Sequence, residues 1–342
     1  MLDFNISGFT SAHEAGTRCA MILADFLPPR RDRSWDYARQ AGVTHAIARC
    51  HPRDTGLNPP WDIDALRAVQ RDFADAGIRL IGLEGDEFEM RRIKLGLSGR
   101  DEDLALYRRM LANLGELGIG LLCYNFMATI GWCRTDTHVP ARGGAITNRF
   151  QHAALDPQPV PDDDRVSEEP LWANYAYFLR AVLPAAERAG VKLGLHPDDP
   201  PLSPLRGVGR IFTSSEAFAR AMALSDSPFH GITFCQANFR LMGGDVAAAA
   251  RRFADRIVFV HFRDVAGTAE DFTETFHDDG PTDMPAMLRL YHEIGFRGPI
   301  RVDHVPSLAG EEDLPHGYAY LGRLFAIGYM KGILQTAHIS YS

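Results

Sequence analysis

A histidine and two aspartates follow a short apolar run in the middle of the chain. Residues 191–195 are apolar or small except for Lys192, and His196, Asp198 and Asp199 come next, interleaved with three prolines. Because proline cannot donate to a strand ladder, we expect a strand to end here. An imidazole and two carboxylates at a strand end have the chemistry to bind a metal ion or a polar substrate.

The next three apolar runs end on residues of the same kind, namely Cys235, His261 and Asp303. Together with His196 they offer two imidazoles, a thiolate and a carboxylate, which suits a divalent transition metal. One His or Cys at a strand end is more often a packing or capping residue. The metal hypothesis therefore depends on the four strand ends meeting at one place.

Short apolar runs alternate with longer amphipathic stretches along the chain. The spacing predicts strands over 21–26, 43–49, 79–84, 119–125, 191–196, 231–235, 257–261 and 299–303. It predicts helices over 34–41, 62–76, 102–117, 170–189, 215–223, 244–253 and 283–294. Alternating units favour an α/β fold with a parallel sheet, and eight of them predict a closed (β/α)8 TIM barrel. An open doubly wound sheet is the alternative.

Two segments do not fit this repeat. Residues 1–18 are expected to form an N-terminal extension to a single barrel domain over 19–342. Residues 126–169 form a long insertion after the fourth strand, on the face where barrels carry their active sites. Loops of this length in compact domains are usually functional or disordered. We therefore predict an active-site lid.

Composition excludes several classes of partner. The 342 residues carry a net charge of -8 and no dense basic block, which argues against nucleic acid. Five scattered cysteines without CxxC spacing suit a reducing cytoplasm. We see no signal-peptide pattern and no apolar run of the roughly 18 residues that a membrane span needs. An apolar C-terminal helix over 320–334 is compatible with a homodimer.

Several motifs resemble those of the mannonate dehydratase family, over about Arg31 to Gln335. They are His196-Pro-Asp-Asp-Pro-Pro, Cys123-Tyr-Asn-Phe-Met127, Trp132-Cys-Arg-Thr-Asp136, Arg301-Val-Asp-His304 and Gly317-Tyr318. The resemblance implies a xylose isomerase-like barrel that uses Mn²⁺ or Fe²⁺ to convert D-mannonate to 2-keto-3-deoxy-D-gluconate. The family's ligand pattern falls on the same four strand-end residues, and its catalytic tyrosine falls on Tyr318.

Such a dehydration needs a base, an acid and a cation to stabilise negative charge beside the carboxylate. Tyr318, His304 and His277 are candidates for the proton transfers, and their order is open. The structural alternative is a loop cap for Asn125 and an ion pair for Arg263 and Arg134. Asp198 and Asp199 could instead orient a metal-bound histidine. The substrate-binding candidates are Asn125, Arg134, Arg263, Asp198, Asp199 and His51.

The chain departs from the family pattern on the side away from the proposed metal. Cys50-His51 stands where the family has a His-His pair, and Asp25-Phe26 stands where it has an Arg-Trp type sequence. These departures leave the exact sugar acid open. An isomerase or epimerase on the same barrel is the alternative activity, and a non-catalytic sugar-acid-binding barrel is a third possibility.

Overall fold

The computed structural model describes residues 20–342, so the predicted extension at 1–18 lies outside the described residues, as does Cys19. The described strands are β1 (Ile22–Phe26), β2 (His45–Ala48), β3 (Arg79–Glu84), β4 (Leu121–Tyr124), β5 (Asp136–Pro140), β6 (Ile146–Gln151), β7 (Lys192–Leu195), β8 (His230–Cys235), β9 (Ile257–Phe262), β10 (Val265–Thr268), β11 (Asp271–Glu274) and β12 (Pro299–Val302). The described helices are α1 (Arg33–Gln40), α2 (Pro52–Thr55), α3 (Ile63–Asp75), α4 (Arg91–Leu95), α5 (Arg100–Glu116), α6 (Glu168–Ala189), α7 (Ser215–Met222), α8 (Gln236–Leu241), α9 (Val246–Arg252), α10 (Met284–Glu293) and α11 (Tyr320–Thr336).

Eight parallel strands close into a barrel in the order β1-β12-β9-β8-β7-β4-β3-β2. Each predicted strand is present, with its ends within two residues of the predicted ones. The (β/α)8 prediction is thus confirmed over the open-sheet alternative. Register also places strand ends side by side, since Cys235 of β8 is paired with His261 of β9.

The helices pack apolar stripes against the outside of this barrel. In α3, the buried Leu66, Val69 and Phe73 recur at helical spacing, while Asp62 caps the first turn by accepting from the amides of Asp64 and Ala65. The interior of the barrel holds a separate apolar layer. It consists of Ala24, Ile47, Leu121, Cys123, Val258 and Phe259.

A second sheet stands beside the barrel mouth. It is antiparallel, in the order β10-β11-β6-β5, and joins the insertion to the segment after β9. Phe150 and Phe272 pair across it and pack with Val265 of β10 and with Leu205 of the segment that follows β7. The insertion at 126–169 is therefore partly folded rather than one long loop, and its function as a lid stays a prediction.

The outer surface of the described chain gives two further observations. None of the described helices is long and apolar enough to cross a membrane. Helix α11 exposes Leu321 and Phe325. An exposed apolar pair is compatible with a homodimer, which stays a prediction. Analytical ultracentrifugation of the purified protein would measure its oligomeric state directly.

Candidate active site and metal centre

A cavity of about 600 Å³ opens at the carboxyl ends of the barrel strands. We call it the mouth cavity. Side chains from the ends of many strands reach it, as in other barrels of this class. Residues at its wall include Phe26, Glu84, Asn125, His196, His261, Asp303, His304 and Tyr318.

Three of the predicted ligands meet at one edge of the mouth cavity. One potential ligand atom from each of His196, Cys235 and His261 lies within 4.8 Å of the other two. They come from the ends of β7, β8 and β9, which are neighbours in the barrel. We call this group the ligand trio. The sequence argument from consecutive strand ends thus predicted a real juxtaposition.

The hydrogen bonds around the ligand trio fit a bound cation. His196 Nδ1 lies 2.7 Å from the Pro197 carbonyl oxygen, which can only accept, so Nδ1 carries the proton and Nε2 is free to ligate. Both ring nitrogens of His261 are buried and make no hydrogen bond of good geometry among the described residues, although Nε2 lies 3.3 Å from Glu84 Oε2. Buried imidazole nitrogens normally have a partner, and a metal ion would supply one.

Asp303, the fourth predicted ligand, lies against the trio but is held by arginines. Its Oδ2 is 3.6 Å from His261 Nδ1 and 2.7 Å from Arg263 Nε, and its Oδ1 is 2.9 Å from Arg301 Nη1. Burial would raise the pKa of Asp303, but Arg301, His304, His261 and Arg263 outweigh it and hold the pKa well below its usual range. The carboxylate therefore stays ionised and close to the trio.

A second group of possible ligands shares His261 and consists of Glu84, Cys123 and His261. Glu84 is already paired with Arg301 at 2.6 Å. Burial raises the pKa of the Cys123 thiol well above its usual value, which disfavours the thiolate that a metal requires. This group is the poorer metal site.

Two of the three proton-transfer candidates reach the mouth cavity. The Tyr318 hydroxyl donates to Asp303 Oδ1 at 3.4 Å, and burial together with Asp303 raises the pKa of Tyr318. His304 Nδ1 lies 2.7 Å from Glu274 Oε1. His277, in contrast, is buried behind the wall, where its Nε2 donates to the Phe262 carbonyl oxygen at 2.7 Å. The structure does not bring His277 to the site.

The arginines predicted to bind a substrate carboxylate are occupied elsewhere. Arg134 is fully buried and pairs with Asp199 at 2.6 Å and with Glu274 at 2.6 Å. Arg263 pairs with Asp199 at 2.6 Å and with Asp303 at 2.7 Å. These placements correct the expectation that both side chains are free for substrate, because buried arginines need charged partners.

Of the remaining predicted substrate contacts, two line the mouth cavity and two do not. Asn125 lines the cavity, although its Oδ1 accepts from Lys94 Nζ and the Met127 amide. Asp199 also reaches the wall. Asp198 is buried and accepts from the Phe212 amide, and His51 caps α2 through the Arg53 amide. Asp198 and His51 are not among the residues at the wall of the mouth cavity, and the contacts that the structure gives them are structural.

The family model described as D-mannonate dehydratase (UxuA) matches residues 26–162 and 162–341. The chain belongs to the mannonate dehydratase family. This confirms the resemblance carried by the sequence motifs.

Individual members of the mannonate dehydratase family agree with that assignment. The chain is 33% identical to mannonate dehydratase 1 of Bacillus licheniformis, over 85% of this chain and 88% of the relative. It is 32% identical to the enzyme of Streptococcus equi subsp. zooepidemicus, over 83% and 85%. The crystal structure of mannonate dehydratase from Streptococcus suis serotype 2 superposes with a TM-score of 0.85 at 29% identity, covering 94% and 97% of the two chains.

More distant structures share the barrel alone. A xylose isomerase domain protein from Planctomyces limnophilus has a TM-score of 0.59 at 16% identity, over 93% of this chain and 97% of its own. An L-ribulose 3-epimerase has a TM-score of 0.58 at 15% identity, over 93% and 96%. At this identity the likeness confirms the xylose isomerase-like fold and says nothing about activity.

Sequence reasoning missed one residue at the centre of the site's polar network. Glu274, at the end of β11, accepts from Arg134, Asn148 and His304. Burial would raise the pKa of Glu274, but His304 and Arg134 lower it to about 2. No apolar run or motif marks this position, because β11 belongs to the second sheet and is only four residues long.

Proposed function

We propose that this protein dehydrates D-mannonate, or a close aldonate, to 2-keto-3-deoxy-D-gluconate and water. The substrate loses the proton on C2 and the hydroxyl on C3, and the resulting enol becomes the 2-keto acid. Family membership supports the reaction class. The observation that carries the proposal is the ligand trio, two of whose members, His196 and His261, line the same cavity as Tyr318 and His304.

The proposed cofactor is Mn²⁺ or Fe²⁺. His196 Nε2, Cys235 Sγ and a His261 nitrogen would hold it, and Asp303 would supply an oxygen while remaining paired with Arg301. Mixed nitrogen, sulfur and oxygen donors suit such ions better than Mg²⁺ or Ca²⁺. When bound, the ion would act as a Lewis acid toward the substrate carboxylate and lower the cost of charge at C2.

His304 and Tyr318 divide the proton transfers in this proposal. Because the Glu274 carboxylate can only accept, the proton of that bond is on His304 Nδ1, and in the neutral imidazole Nε2 is the acceptor. We assign Nε2 as the base for the C2 proton. The Tyr318 hydroxyl already acts as a donor to Asp303, so we assign it as the acid that protonates the departing C3 oxygen.

One experiment tests the proposed function directly. The purified protein, reconstituted with Mn²⁺ under anaerobic conditions, is incubated with D-mannonate, and a 2-keto-3-deoxy acid is measured with a thiobarbiturate assay. Enzyme stripped with a chelator is the matched control and should be inactive until metal is restored. An isomeric product without the deoxy acid would establish the isomerase or epimerase alternative. Binding without any turnover would establish the non-catalytic barrel.

The site's thiols bear on the cellular setting. Cys50, Cys123, Cys133 and Cys235 are free cysteines. Because an unbound Cys235 thiolate would be open to oxidation, reducing surroundings suit this site, and we propose the cytoplasm as the location. The proposed partner is the small sugar acid.

A further inference from the structure

The mouth cavity has cationic side chains that the proposed mechanism does not use. Within the described part of the chain, the arginines that line it are Arg30, Arg49 and Arg323. Arg323 is nearly buried and donates to the Phe26 carbonyl oxygen and to Asp25. Arg30 gives its Nε and Nη2 to the Thr55 carbonyl oxygen. Arg49 is the one whose surroundings suggest a substrate contact.

Arg49 faces the ligand trio across the barrel mouth. It directly follows β2, whereas Cys235 of the trio ends β8. In the closed order, β2 and β8 are four strands apart in either direction, so their ends are opposite each other. A sugar acid bound by its carboxylate at the trio would extend across the cavity toward Arg49.

The neighbouring strand end leaves room for this side chain. Gly85 follows β3 with a φ of +116°, and a Cβ at that position would lie 3.2 Å from Arg49 Cδ. The absence of a side chain at Gly85 thus lets Arg49 lie over the strand end beside Glu84. The Arg49 side chain keeps 48% of its surface exposed, which makes it accessible from the cavity.

Arg49 presents a donor group next to an acceptor. Its Nε and Nη2 bind Asp54 at 2.6 Å and 3.1 Å, and Asp54 also lines the cavity. This leaves the Nη1 hydrogens, and the outer lone pairs of Asp54, available to a ligand. The Arg49–Asp54 pair has no net charge and offers both donors and acceptors. It therefore suits a ligand's vicinal hydroxyls, which donate and accept, better than it suits a second anionic group on the ligand.

We propose that Arg49, together with Asp54, binds the hydroxyl groups of the sugar acid that are remote from C2 and C3, and so selects among aldonates by length and configuration. The inference rests on the proposed dehydratase function. It adds a specificity site at the end of β2 that is separate from the ligand trio and from the proton-transfer groups.

The test compares two acids that differ only beyond the reacting carbons. L-Erythronate keeps the C2 and C3 configuration of D-mannonate and lacks C5 and C6. In Arg49→Met we expect the KM for D-mannonate to rise about 10- to 100-fold, as for loss of a hydrogen bond to a charged group. The kcat for D-mannonate and the Ki of L-erythronate should stay near the wild-type values, because the carboxylate, C2 and C3 that the two acids share would be bound at the trio.

Arg53→Met is the matched control, since Arg53 is exposed in the same segment and does not line the cavity. It should leave KM unchanged. Asp54→Asn is a second variant, with a smaller expected rise in KM for D-mannonate. An unchanged KM in both Arg49→Met and Asp54→Asn overturns the inference. A rise in KM matched by an equal rise in the Ki of L-erythronate also overturns it, because that result indicates a general structural effect.

Failure of the underlying function gives a different result. If wild-type enzyme with Mn²⁺ turns over no D-mannonate, the dehydratase proposal fails on its own. Calorimetric binding of D-mannonate and L-erythronate to wild type and Arg49→Met then decides the inference by the same comparison. A selective loss of D-mannonate affinity supports it, and equal affinities in the two proteins overturn it.

Discussion

His304 and Glu274 form a buried imidazole–carboxylate pair with 2.7 Å between Nδ1 and Oε1. Glu274 belongs to β11 of the second sheet, whereas His304 follows β12 of the barrel. The pair therefore ties the orientation of a candidate catalytic ring to a sheet that is built partly from the insertion. This relationship gives the insertion a role in positioning the site.

Glu274→Gln should lower kcat by about 10- to 100-fold, the usual effect of losing a carboxylate that orients a functional imidazole. The amide cannot fix the Nδ1–H tautomer of His304 as a carboxylate does. Steady-state kinetics with D-mannonate check this, together with metal content, which should not change. Glu270→Gln, in the exposed β10–β11 turn, is the control. Equal activity in the two variants would contradict the positioning role.

The two candidate metal groups can be separated by their cysteines. Cys235→Ser should abolish stoichiometric Mn²⁺ or Fe²⁺ binding, as should His196→Ala, because each removes one ligand of the trio. Cys123→Ser should retain the metal, since Cys123 belongs to the alternative group with Glu84. Metal analysis of reconstituted proteins provides the measurement. Retention in Cys235→Ser with loss in Cys123→Ser would reverse our choice of site.

Tyr318→Phe removes the proposed acid while keeping the ring. General acid catalysis typically contributes about 100- to 10,000-fold, so kcat should fall by an amount in that range. Metal content should remain at the wild-type level, because the Tyr318 hydroxyl is not a ligand in the proposal. Tyr329→Phe on α11 is the control and should be as active as wild type. A fully active Tyr318→Phe enzyme would refute the assignment.

The barrel and the ligand trio were predictable for a shared physical reason. Periodic apolar runs place strands, and the closure of parallel strands then brings consecutive ends such as His196, Cys235 and His261 together. The buried ion pairs of Arg134 and Arg263 could not be predicted, because their shared partner Glu274 lies in the second sheet. Likewise, β5 and β6 are short and give no long periodic pattern, so the insertion appeared to be one loop.

His277 should make stability sensitive to acid. Burial lowers the pKa of His277 from about 6.5 to about 4. Below pH 6.5 this histidine is therefore protonated in the unfolded chain but stays neutral in the folded protein. The stabilisation is complete above pH 6.5 and is lost as pH falls toward 4, by about 3 kcal/mol. Urea unfolding of wild type and His277→Gln over this range is the measurement. The variant should show a flatter dependence, and an identical slope in both proteins would contradict the buried neutral imidazole.

Arg134 should contribute more to stability than another arginine of the same insertion. It is fully buried between Asp199 and Glu274, so Arg134→Met leaves two buried carboxylates with less positive charge around them. Removing one partner of such a pair typically costs about 3–5 kcal/mol in the free energy of unfolding. Arg149→Met is the matched control, because Arg149 pairs with Asp271 on the exposed side of the second sheet and should change stability little. Urea unfolding at pH 7 compares the two variants, and a loss in Arg134→Met no larger than in Arg149→Met would mean that the buried network is not what holds the insertion to the barrel.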